Sequence, residues 1–254
     1  MEIYTAERLQ SALSPRPIRF VESVGSTNDL ARQWLQQGGA NGAVVITNEQ
    51  VQGRGRLGRT WFTPPGTALI LSLLLHPPAT ALHQITMLGA VAIAEMLDQL
   101  GAHSVAIKWP NDVLLNGRKV CGILPETTWD GSRLVGVVLG IGVNVRIDFT
   151  GTDLAATAIS IEPALGRSFD RVDLLKMLLA SLDRWSAHLG TDALFEAWRA
   201  RLQTLGTSVL IDQPTGQLRG LAESVEPSGA LRVRDAGGRL HTVMAGDVSL
   251  GEPG

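Results

Sequence analysis

Hydrophobic spacing divides the chain into alternating helical and extended stretches. Behind Ser26-Thr27-Asn28-Asp29, which has the form of a capping box, Leu30, Trp34 and Leu35 recur at helical spacing until Gly38-Gly39 ends the predicted helix. Ala43 to Thr47 predicts a short β-branched strand, Pro64-Pro65-Gly66 a turn, and the unbroken apolar run from Ala68 to Leu75 a buried strand. Leu82, Ile85, Leu88, Ile93, Met96, Leu97 and Leu100 mark a long helix over 82–100. The stretch from Val105 to Val145 is strand-rich. Within it, Asn116-Gly117 sits between Asp112-Val113-Leu114-Leu115 and the run from Val120 to Leu124, a hairpin signal because both turn positions need φ > 0. Leu134 to Leu139 predicts a further buried strand. Two helices follow, over 172–189 and 193–202.

The pattern changes after Gly206. Short alternating runs at 208–211, 218–222, 231–234 and 241–244 are punctuated by Gly216, Gly229 and Gly237-Gly238, which predicts a small β-barrel. A strand, a helix and then several hairpin strands indicate an α+β fold with a mixed, mostly antiparallel sheet and packed helices. The predicted units are a main domain over 1–204 and a barrel over 205–254, too small to hold much of a core alone.

Composition narrows the function classes. Of 254 residues, 44% are hydrophobic and 18% charged, as in a folded domain rather than a disordered chain. The net charge of −2 lacks the basic excess of a general nucleic-acid binder, so any anion site must come from local clustering. A single cysteine, Cys121, precludes an internal disulfide and predicts a cytoplasmic home; in its apolar run it reads as core filler rather than nucleophile. The five histidines share no metal-ligand spacing, so no zinc site is expected. The first ten residues show no signal-peptide core, and apolar runs such as 68–75 fall short of the roughly 20 residues that span a bilayer. No membrane partner is expected.

Gly53-Arg54-Gly55-Arg56-Leu57-Gly58 matches the dinucleotide pattern G-x-G-x-x-G, but two features argue against a nucleotide-binding βαβ unit. The segment runs into Thr60-Trp61-Phe62-Thr63-Pro64-Pro65, which cannot open a helix, and no Asp or Glu lies between Glu49 and Glu95. What is left is a pliable backbone carrying Arg54, Arg56 and Arg59. Guanidinium groups grip carboxylates and phosphates, and the lack of acids nearby in the chain leaves these three for an outside anion. Trp61 adds a stacking surface. The competing readings are an exposed basic loop without a role and a short RGG-like RNA-binding tract.

Lys108-Trp109-Pro110-Asn111-Asp112 places a cation, an amide and a carboxylate at one bend, fit to read a nucleotide and hold magnesium or simply to close a salt-bridged turn. Lys119 follows the Asn-Gly turn and is ordinary unless the hairpin borders the loop. In Gly140-Ile141-Gly142-Val143-Asn144, the glycines predict close approach of another group to the backbone, and Asn144 is a turn residue or a ligand contact. Positive charge, backbone amides and apolar walls, without a Ser-His-Asp or Cys-His-Asp set, suit activation of a carboxylate by ATP.

Taken in order, Ser26-Thr27-Asn28, Gln50-x-x-Gly53-Arg54-Gly55-Arg56-x-Gly58-Arg59-x-Trp61, Lys108-Trp109-Pro110-Asn111-Asp112, Arg118-Lys119-x-x-Gly122-Ile123-Leu124-x-Glu126 and Gly140-x-Gly142-x-Asn144 resemble the biotin–protein ligases. The likeness extends to Ala245-Gly246-Asp247-Val248 near the end of the barrel. It implies a catalytic domain like that of class II synthetases and biotin/lipoate ligases, with an SH3-like C-terminal barrel. The implied reaction joins biotin and ATP, with Mg2+, into biotinyl-5′-AMP. It then acylates a lysine of a biotin carboxyl carrier protein.

The resemblance implies that Ser26, Thr27 and Asn28 bind biotin with Gln50 beside its carboxylate arm, and that Arg54, Gly55 and Arg56 close over biotin and phosphate. It implies that Lys119 holds the reacting carboxylate and α-phosphate, with Lys119 and Arg54 as catalytic residues. Lys108, Asn111, Asp112 and Asn144 would serve the nucleotide half, with Arg59 and Trp61 nearby, and Gly53, Gly122 and Gly142 are also implied to be binding residues. A lipoate–protein ligase or octanoyltransferase is the alternative on the same fold.

Only 25 residues precede Ser26 and they show no two-helix pattern. The likeness is therefore to monofunctional members without a DNA-binding domain, acting as monomer or homodimer, and no DNA partner is expected. Two departures stand out. Ala158 takes the place where some members set a tryptophan against adenine, and Pro125 falls in a predicted strand. The glycine-rich loop is expected to be disordered when empty and to fold over bound substrate.

Overall fold

The structure is a computed structural model that describes residues 4–213 and 216–250. Residues 214–215 and 251–254 of the expected barrel and 1–3 of the expected main domain lie outside them. Two sheets carry the fold. The larger has seven strands in the order β1-β2-β3-β7-β6-β5-β4. These are β1 (Ile18–Val24), β2 (Val44–Gln50), β3 (Ala68–Leu75), β4 (Val105–Lys108), β5 (Asp112–Leu115), β6 (Arg118–Asp130) and β7 (Arg133–Asn144). Only the β1–β2 pair is parallel; every other neighbour in this sheet is antiparallel. The chain is α+β, as its element order indicates.

Asn116 (φ 51°) and Gly117 (φ 75°) turn β5 into β6 with both central residues left-handed, as the hairpin signal required. β3 is buried along its whole length and lies between β2 and β7. Pro125 is also explained. β5 pairs with β6 only as far as Gly122, and the outward-facing N–H of Ile123 goes to the Asn111 carbonyl. Two residues on, Pro125 faces the same open side, where there is no ladder bond for it to lose.

Ahead of Ser26 the described residues form one helix, α1 (Ala6–Leu13), and β1. Helix α2 (Thr27–Gln36) packs on β2, β3 and β7; α3 (Ile85–Gln99) packs against β4 to β7 and against α5 and α6. The expected start of α3 at Leu82 is instead a 3-10 turn, Ala79–Gln84. The combined stretch Ala79–Gln99 is long and apolar enough to cross a bilayer, which the reading of apolar runs overlooked. Its most apolar window is 72% buried inside the protein, as befits a core helix. A short α4 (Ile161–Leu165), then α5 (Arg171–Ser186) and α6 (Asp192–Arg199), complete the helices.

The smaller sheet is antiparallel, in the order β11-β10-β9-β8-β12, and forms the SH3-like C-terminal unit. Its strands are β8 (Ser208–Gln213), β9 (Gly216–Val225), β10 (Leu231–Arg234), β11 (Leu240–Val243) and β12 (Asp247–Leu250), the last not foreseen as a strand. Trp109, 1% exposed, ties this unit to the main body: its indole N–H donates to the Gly229 carbonyl at 2.8 Å. Its backbone N–H donates to the Thr204 hydroxyl at 2.9 Å. Trp109→Phe keeps an aromatic ring but strands the half-buried Gly229 carbonyl. A loss of about 1–3 kcal/mol in urea unfolding is expected, and an unchanged midpoint would show that the bond does not anchor the unit.

Candidate active site

A cavity of about 600 Å³ opens over β6 and β7, within the usual range of small-molecule sites. Its floor is bare backbone. Gly122 and Gly142 sit directly opposite each other on these strands. The Trp61 indole lies across both: a Cβ on Gly142 would come within 2.6 Å of it, and one on Gly122 within 2.8 Å. Neighbouring Gly140 makes room for the Asn28 amide, whose oxygen lies 2.4 Å from where a Cβ would stand. The glycines thus do mark close approach, here by two of the protein's own side chains.

One end of the cavity is a polar cradle at the start of α2. The capping box expected there does not form. Ser26 holds the N-cap position but makes no side-chain cap bond, and Asp29 turns away to Arg54. The Thr27 N–H donates instead to the Gln50 side-chain oxygen at 2.8 Å, so β2 supplies the cap. Ser72, the one polar residue in β3, reaches the Thr27 hydroxyl at 2.8 Å and donates to the Asn28 Oδ1 at 2.6 Å. Both Asn28 amide protons are taken, by Glu126 at 2.8 Å and by the Leu124 carbonyl at 3.2 Å.

The cations occupy the middle. Lys119 pairs with Asp112 at 2.7 Å, and its ammonium lies 5.4 Å from the Trp61 ring centroid. The glycine–arginine loop follows a defined path, with an Arg54–Thr60 bridge around a 3-10 turn at Arg56–Gly58. The expectation that all three loop arginines lack acidic partners is corrected. Asp29 takes Arg54 in a two-pronged contact at 2.7 and 2.9 Å, with Glu126 at 3.6 Å, and Asp247 of β12 takes Arg59. Acids absent nearby in sequence arrive from α2, β6 and the barrel. The Arg54 bond holds the Asp29 carboxyl below its ordinary range and raises Arg54 in turn. Arg56 alone of the three has no carboxylate in hydrogen-bond contact among the described residues. It donates to Asn111 Oδ1 at 3.1 Å, and burial lowers its pKa against the opposing pull of Asp112 and Asp247.

The far end is apolar, with Phe149, Leu154 and Ala158 among its lining. Asn144 spends both amide protons on the carbonyls of Ile159, at 3.1 Å, and Lys119, at 3.3 Å. It thereby clamps the 158–159 segment beside the start of β6, where Lys119 and Ala158 form a bridge. No histidine or cysteine lines the cavity, and burial pushes the Cys121 thiol up, so that residue is core, as anticipated.

Of the residues singled out in the sequence, Ser26, Thr27, Asn28, Gln50, Arg54, Gly55, Arg56, Arg59, Trp61, Lys108, Asn111, Asp112, Lys119, Gly122, Gly142 and Asn144 all line this one cavity. Gly53 does not. It is buried behind Trp61, whose carbonyl would lie 2.6 Å from a Cβ there. Ser72, Phe149, Leu154 and Asp247 had no role assigned. A lone serine in an otherwise apolar buried strand was the one local signal among them, since a buried hydroxyl needs a partner. Asp112 and Asp247 are the acids of the lining, and no group of three His, Cys, Asp or Glu is placed to hold a metal among the described residues.

Comparison with known proteins agrees with this arrangement. Residues 20–144 match the Biotin/lipoate A/B protein ligase family, and residues 204–251 match the Biotin protein ligase C terminal domain. The biotin--(acetyl-CoA-carboxylase) ligase of Paracoccus denitrificans is 37% identical over 89% of this chain and 97% of its own. The Mycobacterium tuberculosis protein of the same name is 33% identical over 92% and 88%. The Aquifex aeolicus biotin protein ligase, solved with biotin and ATP, shares the fold, with a TM-score of 0.76 over 92% of this chain and 98% of that one at 24% identity. With two close relatives matched nearly end to end and both halves of the fold accounted for, this chain belongs to the biotin protein ligases of the biotin/lipoate A/B protein ligase family.

Proposed function

We propose that this chain attaches biotin to a lysine of a biotin carboxyl carrier protein through biotinyl-5′-AMP. The observation that carries this reading is the placing of Lys119 and Arg56 between a polar cradle and an apolar chamber in one cavity. The cradle suits the cyclic urea of biotin, the cations its carboxylate and the α-phosphate, and the chamber a nucleoside. Lipoate transfer is not favoured, since the relatives above carry the biotin ligase name.

In the first step a carboxylate oxygen of biotin attacks the α-phosphorus, and the bond to pyrophosphate breaks. Two anions must meet, so the contribution asked of the protein is positive charge and alignment. Asp112 holds the Lys119 ammonium toward the cavity, and Arg56 approaches from the loop. Arg54, engaged by Asp29, serves better as an anchor of the loop than as a grip on the substrate. In the second step the acceptor lysine amine attacks the acyl carbon and AMP leaves. Until then the loop and Trp61 would keep water from the mixed anhydride.

Magnesium would arrive with the phosphates. Asp112 and Asp247 fit that mode, in which one or two carboxylates assist a phosphate-bound ion, and the ion neutralises phosphate charge when bound. The units 1–204 and 205–254 are read as a catalytic domain and an appended barrel that lends Gly246 and Asp247 to the cavity rim. A cytoplasmic monomer or homodimer, with no DNA partner, is the accompanying reading.

Incubation with MgATP, biotin and a carboxyl carrier domain, followed by a streptavidin blot, is expected to give a labelled acceptor. Transfer of lipoate or octanoate with no biotin signal would reverse the assignment. Lys119→Ala and Arg56→Ala should each lower biotinyl-adenylate formation by about 10²–10³ while biotin still binds, and wild-type adenylate yield would remove the role given to them. Tryptic cleavage within 54–59 should slow when biotin and MgATP are added together; an unchanged rate would mean that the loop does not close over the substrate.

A further inference from the structure

Exposed apolar side chains gather at the rim of the cavity. Of the seven large hydrophobic residues exposed among the described residues, Leu57, Phe62 and Leu154 line the cavity. Val51 and Met244 stand one and two residues from Gln50 and Gly246, which line it too. A single exposed hydrophobic needs no explanation, but a set collected at one opening marks a contact surface.

Leu57 is the most exposed of them, at 69%. Its backbone is left-handed (φ 55°, ψ 33°), a conformation unfavourable for a residue with a Cβ. Ser104 and Asn116 share positive φ among the described residues, but both are polar, and asparagine suits that region as leucine does not. No packing offsets this, since Leu57, Phe62 and Met244 join none of the hydrophobic clusters of the fold. An unfavourable backbone and an uncovered apolar side chain at one residue point to a contact made with something else. The same turn sends the charged neighbours elsewhere: Arg54 goes to Asp29, Arg56 to Asn111 and Arg59 to Asp247. A loop that reads as cationic in sequence thus presents leucine at its apex.

We propose that Leu57, with Phe62 on the same rim, determines acceptor specificity by docking an apolar patch of the carrier domain around its target lysine. This rests on the biotin reading, whose second step brings a macromolecule to the cavity. A lysine side chain is short, so the surface that bears it must come down onto the rim before the amine reaches the acyl carbon. Biotin and ATP, held inside, make no use of a side chain turned outward. Acceptor recognition at this loop is therefore apolar and weakly dependent on salt, although the loop sequence is basic.

The test separates the two half-reactions of the intact protein. Adenylate formation is read as the burst of pyrophosphate from biotin and MgATP alone, together with the lifetime of the bound adenylate. Transfer is read on a biotin carboxyl carrier domain. Leu57→Asn keeps a residue tolerant of positive φ and removes the apolar surface. It is expected to raise KM for the carrier domain about tenfold, with kcat and adenylate formation within about twofold of the wild type. Leu57→Met, still apolar, should stay near the wild type, and Phe62→Ser should raise the carrier KM as well. Raising the salt concentration severalfold should leave the wild-type carrier KM nearly unchanged. An unchanged carrier KM in Leu57→Asn, an equal fall in adenylate formation, faster loss of the bound adenylate to water, or a wild-type carrier KM that climbs steeply with salt would overturn the proposal. If the wild-type protein labels no carrier domain, the biotin reading itself has failed. Labelling by the wild type with no change in Leu57→Asn sinks the acceptor role alone.

Discussion

The cavity depends on two glycines that face each other across β6 and β7. Any side chain at Gly122 or Gly142 would occupy the space where the Trp61 indole lies, and Gly140 yields the same courtesy to Asn28. Three absent side chains create a flat patch of main chain in the middle of a sheet whose other strands are densely apolar. The sheet supplies rigidity and the glycines supply room. Around the patch, α2 and β2 bring amides and hydroxyls from one side, while the turn between β5 and β6 brings a lysine from the other. Neither set would converge if β6 and β7 were not paired in this register.

Charge is managed by partnership rather than by excess. A chain of net charge −2 concentrates Lys119, Arg54, Arg56 and Arg59 at one opening and sets Asp112, Asp29 and Asp247 against three of them. Such pairs are partly exposed and individually worth little. Their geometry still matters, because they fix where the lysine ammonium and the loop stand before any substrate enters. Arg56, bonded to an amide and partly buried, is the one of these four without a carboxylate in contact among the described residues.

Much of this was legible in the sequence, for identifiable reasons. β3 and the β5–β6 hairpin announced themselves because an uninterrupted apolar run and an Asn-Gly pair have few other uses. The residues that line the cavity were legible as an ordered set of short motifs, each anchored to a strand end or helix start. What escaped was what depends on distance in space. Asp29 and Asp247 cannot be paired with Arg54 and Arg59 by reading along the chain, so the loop looked free of acids. The capping box failed because Gln50, on a neighbouring strand, supplies the bond that a local side chain would otherwise make. β12, an Asp-Val-Ser-Leu alternation directly after Gly246, was not foreseen although β10 and β11 are equally short.

The contact between Arg59 and Asp247 joins residues 188 positions apart. β12 is made after every other described element, so a growing chain has its cradle, lysine and loop translated long before the carboxylate that meets Arg59 exists. The rim of the cavity is therefore finished only once β12 has been made. A ribosome-bound precursor that stops short of β12 carries the cradle, the lysine and the loop without the carboxylate that meets Arg59.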